Sequence, residues 1–167
     1  MDLDNYKIIS KSIRDRELIR LQFDEYSDND YDVYLFSRSD DLLFGAEVTD
    51  FAFNFYFITR LSDVVVSKDE QLLYSVLHRR SVDPDRIAVP LINVNSWRSV
   101  FASAFLSNRI ISVEGVLDGQ DYCLYGLIKG VERDSLLFTS FDLNGEWDKL
   151  SELPLDSINT IVFCSRY

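Results

Sequence analysis

Two stretches of the chain repeat one pattern of apolar and polar positions. In residues 42–67 (LLFGAEVTDFAFNFYFITRLSDVVVS) an apolar strand opens on Leu-Leu-Phe, and a polar turn and a longer strand follow. A short corner, Leu61-Ser62-Asp63, then leads into a β-branched strand at Val64–Val66. Residues 136–165 (LLFTSFDLNGEWDKLSELPLDSINTIVFCS) pass through the same features, with Leu155-Asp156-Ser157 as the corner. Upstream of the first copy, Tyr6, Ile9 and Ile13 share one helical face with Ile8 beside them, and Asp2 or Asp4 is placed to cap, so residues 2–15 predict a short amphipathic helix. Residues 17–23, 31–36 and 42–48 read as strands separated by polar turns at 24–30 and 37–41. Phe51, Phe53, Phe55 and Phe57 recur with period two, which puts four rings on one side of a fourth strand. Ala52, Asn54, Tyr56 and Ile58 occupy its other side, so this strand is apolar on both faces.

Ser67 and Glu70 have capping-box spacing before an apolar stripe of Leu72, Leu73, Val76 and Leu77 that ends at Arg79 and Arg80, which predicts a connecting helix. Pro84 and Pro90 then interrupt regular structure. The pattern restarts in a helix at 96–106, whose Val100, Phe101 and Phe105 match Ile8, Ile9 and Ile13 at an offset of 92. Leu18 and Leu21 match Ile110 and Val113 at that offset, Asp30, Tyr31 and Tyr34 match Asp121, Tyr122 and Tyr125 at 91, and Leu42-Leu43-Phe44 matches Leu136-Leu137-Phe138 at 94. Drift of this size is what altered loop lengths produce between two copies of one unit. The predicted organisation is a first helix-plus-strand unit at 1–68, a connecting helix and proline-containing linker at 69–95, and a second unit at 96–167.

A helix followed by five short antiparallel strands, with a tight corner before the last, resembles the Sm-like branch of the SH3-type small barrels. The resemblance implies a mainly β fold with short helices (α+β): two tandem Sm-like barrels, each an N-terminal helix plus about five antiparallel strands. The loops after Leu42 and Leu136 lack the glycine and Asp-x-x-x-Asn features of RNA-binding Sm proteins, so RNA binding is not carried over with the fold. A unit of about 70 residues has a marginal core of its own. The two are therefore expected to pack together, with the 51–57 strand and the connecting helix supplying apolar surface.

Composition bounds the function classes. A hydrophobic content of 47% with 14% aromatics is enough for a packed core and argues against disorder. The formal charge of −11 opposes association with phosphate backbones and favours a basic partner. Cys123 and Cys164 both lie in apolar strand-like segments, which predicts two buried, reduced thiols. No signal-peptide pattern and no apolar run of membrane-span length is present, so a cytoplasmic location is expected.

No catalytic residues, metal ligands or cofactors are predicted. His78 is the only histidine and stands at a predicted helix end, where capping or solvation explains it better than catalysis. Asp28, Asp30 and Asp32 form D-x-D-x-D, but Val33 replaces the turn glycine of a calcium loop and Ser39 its bidentate Glu, so a solvated hairpin turn is expected. The 6 glycines form no phosphate-cradling loop.

The expected function is that of a non-enzymatic protein-binding module, of immunity or inhibitor type, presenting an acidic surface to a basic protein. Asp24, Glu25, Asp28, Asp30 and Asp32 are the candidate partner-binding patch. Phe51, Phe53, Phe55, Tyr56 and Phe57 are a candidate aromatic interface, between the units or toward a partner. The alternative is a small molecule or nucleic acid held in a groove between the barrels, with Lys7, Lys11, Arg14, Arg16 and Arg20 as a local basic stripe.

Overall fold

A computed structural model of the chain describes residues 3–23, 30–49, 52–66, 89–105 and 109–164, with the backbone alone for residues 49, 52–54 and 164. The expected connecting helix, with His78, lies outside these residues, as do Asp24, Glu25, Asp28 and Phe51.

The first half runs α1 (Leu3–Asp15), β1 (Leu18–Phe23), β2 (Asp30–Arg38), β3 (Leu42–Thr49), β4 (Ala52–Arg60), a 3-10 turn at Leu61–Asp63 and β5 (Val64–Val66). The second runs α2 (Trp97–Phe105), β6 (Ile111–Leu117), β7 (Gln120–Val131), β8 (Ser135–Ser140), β9 (Ser151–Pro154), a 3-10 turn at Leu155–Ser157 and β10 (Ile158–Cys164). Both predicted corners are the 3-10 turns. The apolar stripe of α1 buries Ile9, and the chain leaves the helix through Arg16 in the left-handed region, φ 52°. Ser12 secures that exit by donating its hydroxyl to the Glu17 carbonyl at 2.7 Å. Ser96 caps α2, its hydroxyl oxygen accepting the Ser99 N–H at 3.2 Å.

The ten strands form a single antiparallel sheet in the order β5-β1-β2-β3-β4-β10-β6-β7-β8-β9. The halves repeat one order, last strand first, and meet where β4 pairs with β10. The expected two separate barrels are not found, because the sheet is continuous and does not close. The reason lies in β4. A strand apolar on both faces is suited to the interior of a sheet, paired on both edges, and β3 and β10 provide those edges. The aromatic strand does join the halves, through its backbone pairing with β10 and through Tyr56 and Ile58, which enter the core shared with the second half.

Two apolar cores follow from that placement. One lies within the first half and gathers Ile9, Ile19, Leu21, Val33, Leu35, Leu43, Phe57, Leu61, Val64 and Val66. The other is shared between the halves. Leu42, Phe44, Ala46, Tyr56 and Ile58 of β3 and β4 pack with Val100 and Phe101 of α2 and with Ile111, Val113, Phe138, Ile158 and Ile161.

The repeat is shifted by one residue from its Leu-Leu-Phe echo. Each half has an irregularity between its second and third strands, Leu35/Ser37 in one and Ile128/Gly130 in the other. Counted from there, Leu43 corresponds to Leu136 and Gly45 to Phe138, an offset of 93 where the sequence match gives 94. One residue reverses the face of a strand, and the interior records the change. Gly45 stands opposite Phe57, whereas Phe138 stands opposite Ser151. The large ring thus comes from the fourth strand in the first half and from the third strand in the second.

Candidate functional site

The β4·β10 junction brings together residues from six strands and one turn around a groove of about 830 Å³. Thr59 and Thr160 face each other across the junction with their hydroxyls 2.9 Å apart. Phe23 of β1, Val65 of β5 and Asp63 of the first 3-10 turn line the groove from the first half, and Glu114, Val116, Asp121, Tyr122 and Cys123 of β6 and β7 line it from the second. Strand alternation puts Asp121, Cys123 and Tyr125 on one face of β7 and Ser112, Glu114 and Val116 on one face of β6, while the Tyr122 side chain falls on the other face of β7 and packs against the shared core. Gly115 is required on β6, because a Cβ there would lie 2.0 Å from the Ser157 carbonyl oxygen and 2.8 Å from the Tyr122 hydroxyl.

Arg60, at the end of β4, ties the halves together. Its Nε donates to the Ile158 carbonyl at 2.9 Å, and one Nη donates to the carbonyls of Asp156 at 2.9 Å and Leu155 at 3.4 Å. The guanidinium therefore closes the second 3-10 turn onto the first half. Tyr122 adds a bond on the other side, its hydroxyl 3.1 Å from that of Ser157. Burial pushes the Tyr122 phenol above its usual range, with the Ser157 hydrogen bond and the Arg60 charge opposing.

The groove is negative. Asp63 accepts the Ser62 hydroxyl at 2.6 Å, and Glu114 accepts a hydrogen bond from Ser112 at 3.4 Å and one from the Cys123 thiol at 3.8 Å. Among the described residues no ion pair joins Asp63, Glu114 or Asp121 to a cation. Cys123 is exposed, which corrects the expectation of a buried thiol: it sits on the outward face of β7. Its hydrogen bond and charge push the neighbouring Tyr125 phenol up. The side chain of Cys164 lies outside the described residues.

The described candidate residues read from the sequence do not line the groove. Asp30 and Asp32 lie on β2, where Asp32 holds Arg20 through two contacts at 2.9 and 3.2 Å and Asp30 stands 3.9 Å from the same guanidinium. They form a cross-strand ion pair with β1. Phe57 and Tyr56 are buried on opposite faces of β4, and Phe55 is half-buried against the first core. The side chain of Phe53 is outside the described residues. Four members of the basic stripe are neutralised in place, with Lys7 3.6 Å from Asp4, Lys11 2.8 Å from Glu17, Arg14 2.7 Å from Asp15 and Arg20 2.9 Å from Asp32. Among the described residues no group of three or more His, Cys, Asp or Glu side chains is placed to hold a metal ion, and no helix is long and apolar enough to cross a membrane. Asp63, Glu114 and Asp121 escaped the sequence reading because they are 51 and 7 residues apart and fall on three separate elements. Comparison with protein-family models, with curated proteins and with solved structures finds no match.

Proposed function

We propose that the chain is a non-enzymatic binding protein of inhibitor or immunity type that presents an acidic surface to a basic protein. What supports this reading most is the fate of the cations. With a formal charge of −11, four of the five side chains of the basic stripe, Lys7, Lys11, Arg14 and Arg20, are each held by a neighbouring carboxylate. That leaves no unneutralised run of them to track a phosphate backbone, while an excess of carboxylates remains to steer a basic surface. Each half is read as an Sm-like unit, at 1–68 and 96–167, with residues 69–95 linking them. The supporting features are the helix ahead of five strands, the 3-10 turn before the last strand, and the strand order common to both halves.

The protein should be isolated from its own host at low ionic strength, and what elutes from it with salt identified by mass spectrometry. A basic protein is the expected result. Nucleic acid in that eluate contradicts the reading. A second reading, a small molecule held between the halves, is favoured by the groove itself, whose 830 Å³ falls in the range of small-ligand sites. Native mass spectrometry of the freshly purified protein tests it, and an unliganded mass speaks against it.

A further inference from the structure

We infer that the groove at the β4·β10 junction is the seat for an arginine-bearing, extended segment of the basic partner, an inference that rests on the reading above. Two observations select that occupant. First, carboxylates stand on both walls, Asp63 on one and Glu114 and Asp121 on the other, and among the described residues the one cation lining the groove, Arg60, gives its hydrogen bonds to backbone carbonyls. An incoming guanidinium therefore meets carboxylates that no cation among the described residues neutralises, and its planar fork suits them better than a lysine ammonium does. Second, the carboxylates do not converge as metal ligands do. A volume of about 830 Å³ with charges on opposite walls matches several separated cationic groups on one chain better than a single ion. Because the lining comes from both halves, the seat exists only where they are joined.

A capped hexa-arginine peptide is the probe, titrated calorimetrically at low ionic strength against the whole chain. Cys123, exposed on the groove wall, supplies a local reporter: its alkylation by iodoacetamide, separated from that of Cys164 by peptide mapping, should slow when the peptide is bound. The variant Asp63→Asn/Glu114→Gln/Asp121→Asn is expected to weaken the peptide about tenfold or more and to abolish the protection of Cys123. The variant Glu132→Gln/Asp134→Asn/Glu146→Gln removes the same charge from exposed positions outside the groove and should leave both readouts near the unmodified protein. Equal weakening by both variants, with Cys123 unprotected throughout, overturns the groove while leaving the basic-partner reading intact, since diffuse charge would then explain the binding. Failure of the unmodified protein to bind the peptide, or protection of Cys123 by hexaglutamate as well, also overturns the inference. The basic-partner reading is judged separately by what elutes from the protein isolated from its host.

Discussion

Gly45 on β3 lies directly across from Phe57 on β4, and a Cβ at position 45 would stand 2.7 Å from the edge of the Phe57 ring and 2.7 Å from the Tyr34 carbonyl oxygen. The ring fills the space that a side chain at position 45 would take. Gly45→Ala should therefore destabilise the protein by about 1–3 kcal/mol through overpacking. Phe57→Ala should cost about 3–5 kcal/mol through the cavity it opens in the first core. The clash with Tyr34 involves backbone, so Gly45→Ala/Phe57→Leu should recover only part of the first loss. Urea denaturation measures all three, and full recovery in the double variant would show that the ring alone excludes a side chain at 45.

Arg60 bridges the halves with three donated hydrogen bonds to Ile158, Asp156 and Leu155. Arg60→Ala should lower stability by about 2 kcal/mol, the scale of losing hydrogen bonds from a charged donor. Arg60→Lys should recover little of it, because an ammonium cannot reproduce the planar fork. A lysine variant as stable as the unmodified protein would mean that charge near the 3-10 turn, and not this geometry, is what matters.

Alkaline pH should loosen the fold. Burial raises the phenols of Tyr56 and Tyr122 above their ordinary range. A group whose folded value is raised contributes stability that is complete below its unfolded value, about pH 10 for tyrosine, and that is lost as pH rises through the folded value. Thermal melts should accordingly hold steady up to about pH 9.5 and fall beyond it. Tyr122→Phe should fall less steeply across that interval; an unchanged slope would remove Tyr122 from the explanation.

Neither half should stand alone. Residues 1–68 in isolation would leave Phe44, Tyr56 and Ile58 without the α2, β6 and β10 side chains that cover them, and would expose β4 as an unpaired edge. Residues 89–167 would leave β10 with an open edge in the same way. Each fragment should show little cooperative unfolding, and mixing the two should restore part of it. A cooperative melt from either fragment alone would show that the shared core is dispensable.

What the sequence made legible was local. Alternation placed β1 to β5 within a residue or two, and Leu-containing corners marked both 3-10 turns, because period and turn chemistry are written in neighbouring residues. The pairing of β4 with β10 was not legible, since Thr59 and Thr160 meet across 101 residues and nothing near either one names the other. The Leu-Leu-Phe match misled by one position because identity was easier to see than the irregularities at Leu35/Ser37 and Ile128/Gly130 that set the facing. The acidic loop drew attention as a run of charges, yet Asp32 is occupied by Arg20, while the groove carboxylates, scattered along the chain, gave no local signal.

Backbone amide hydrogen exchange along β4 and β10 tests the edge-to-edge joining of the halves most directly. If the strands pair in the register that sets Ile58 against Ile161 and Thr59 against Thr160, the amides that bond across this seam should exchange only through global unfolding, as slowly as those in the centre of β3. Exchange on the seam at the rate of the open edges β5 and β9, with β3 still protected, would contradict the account.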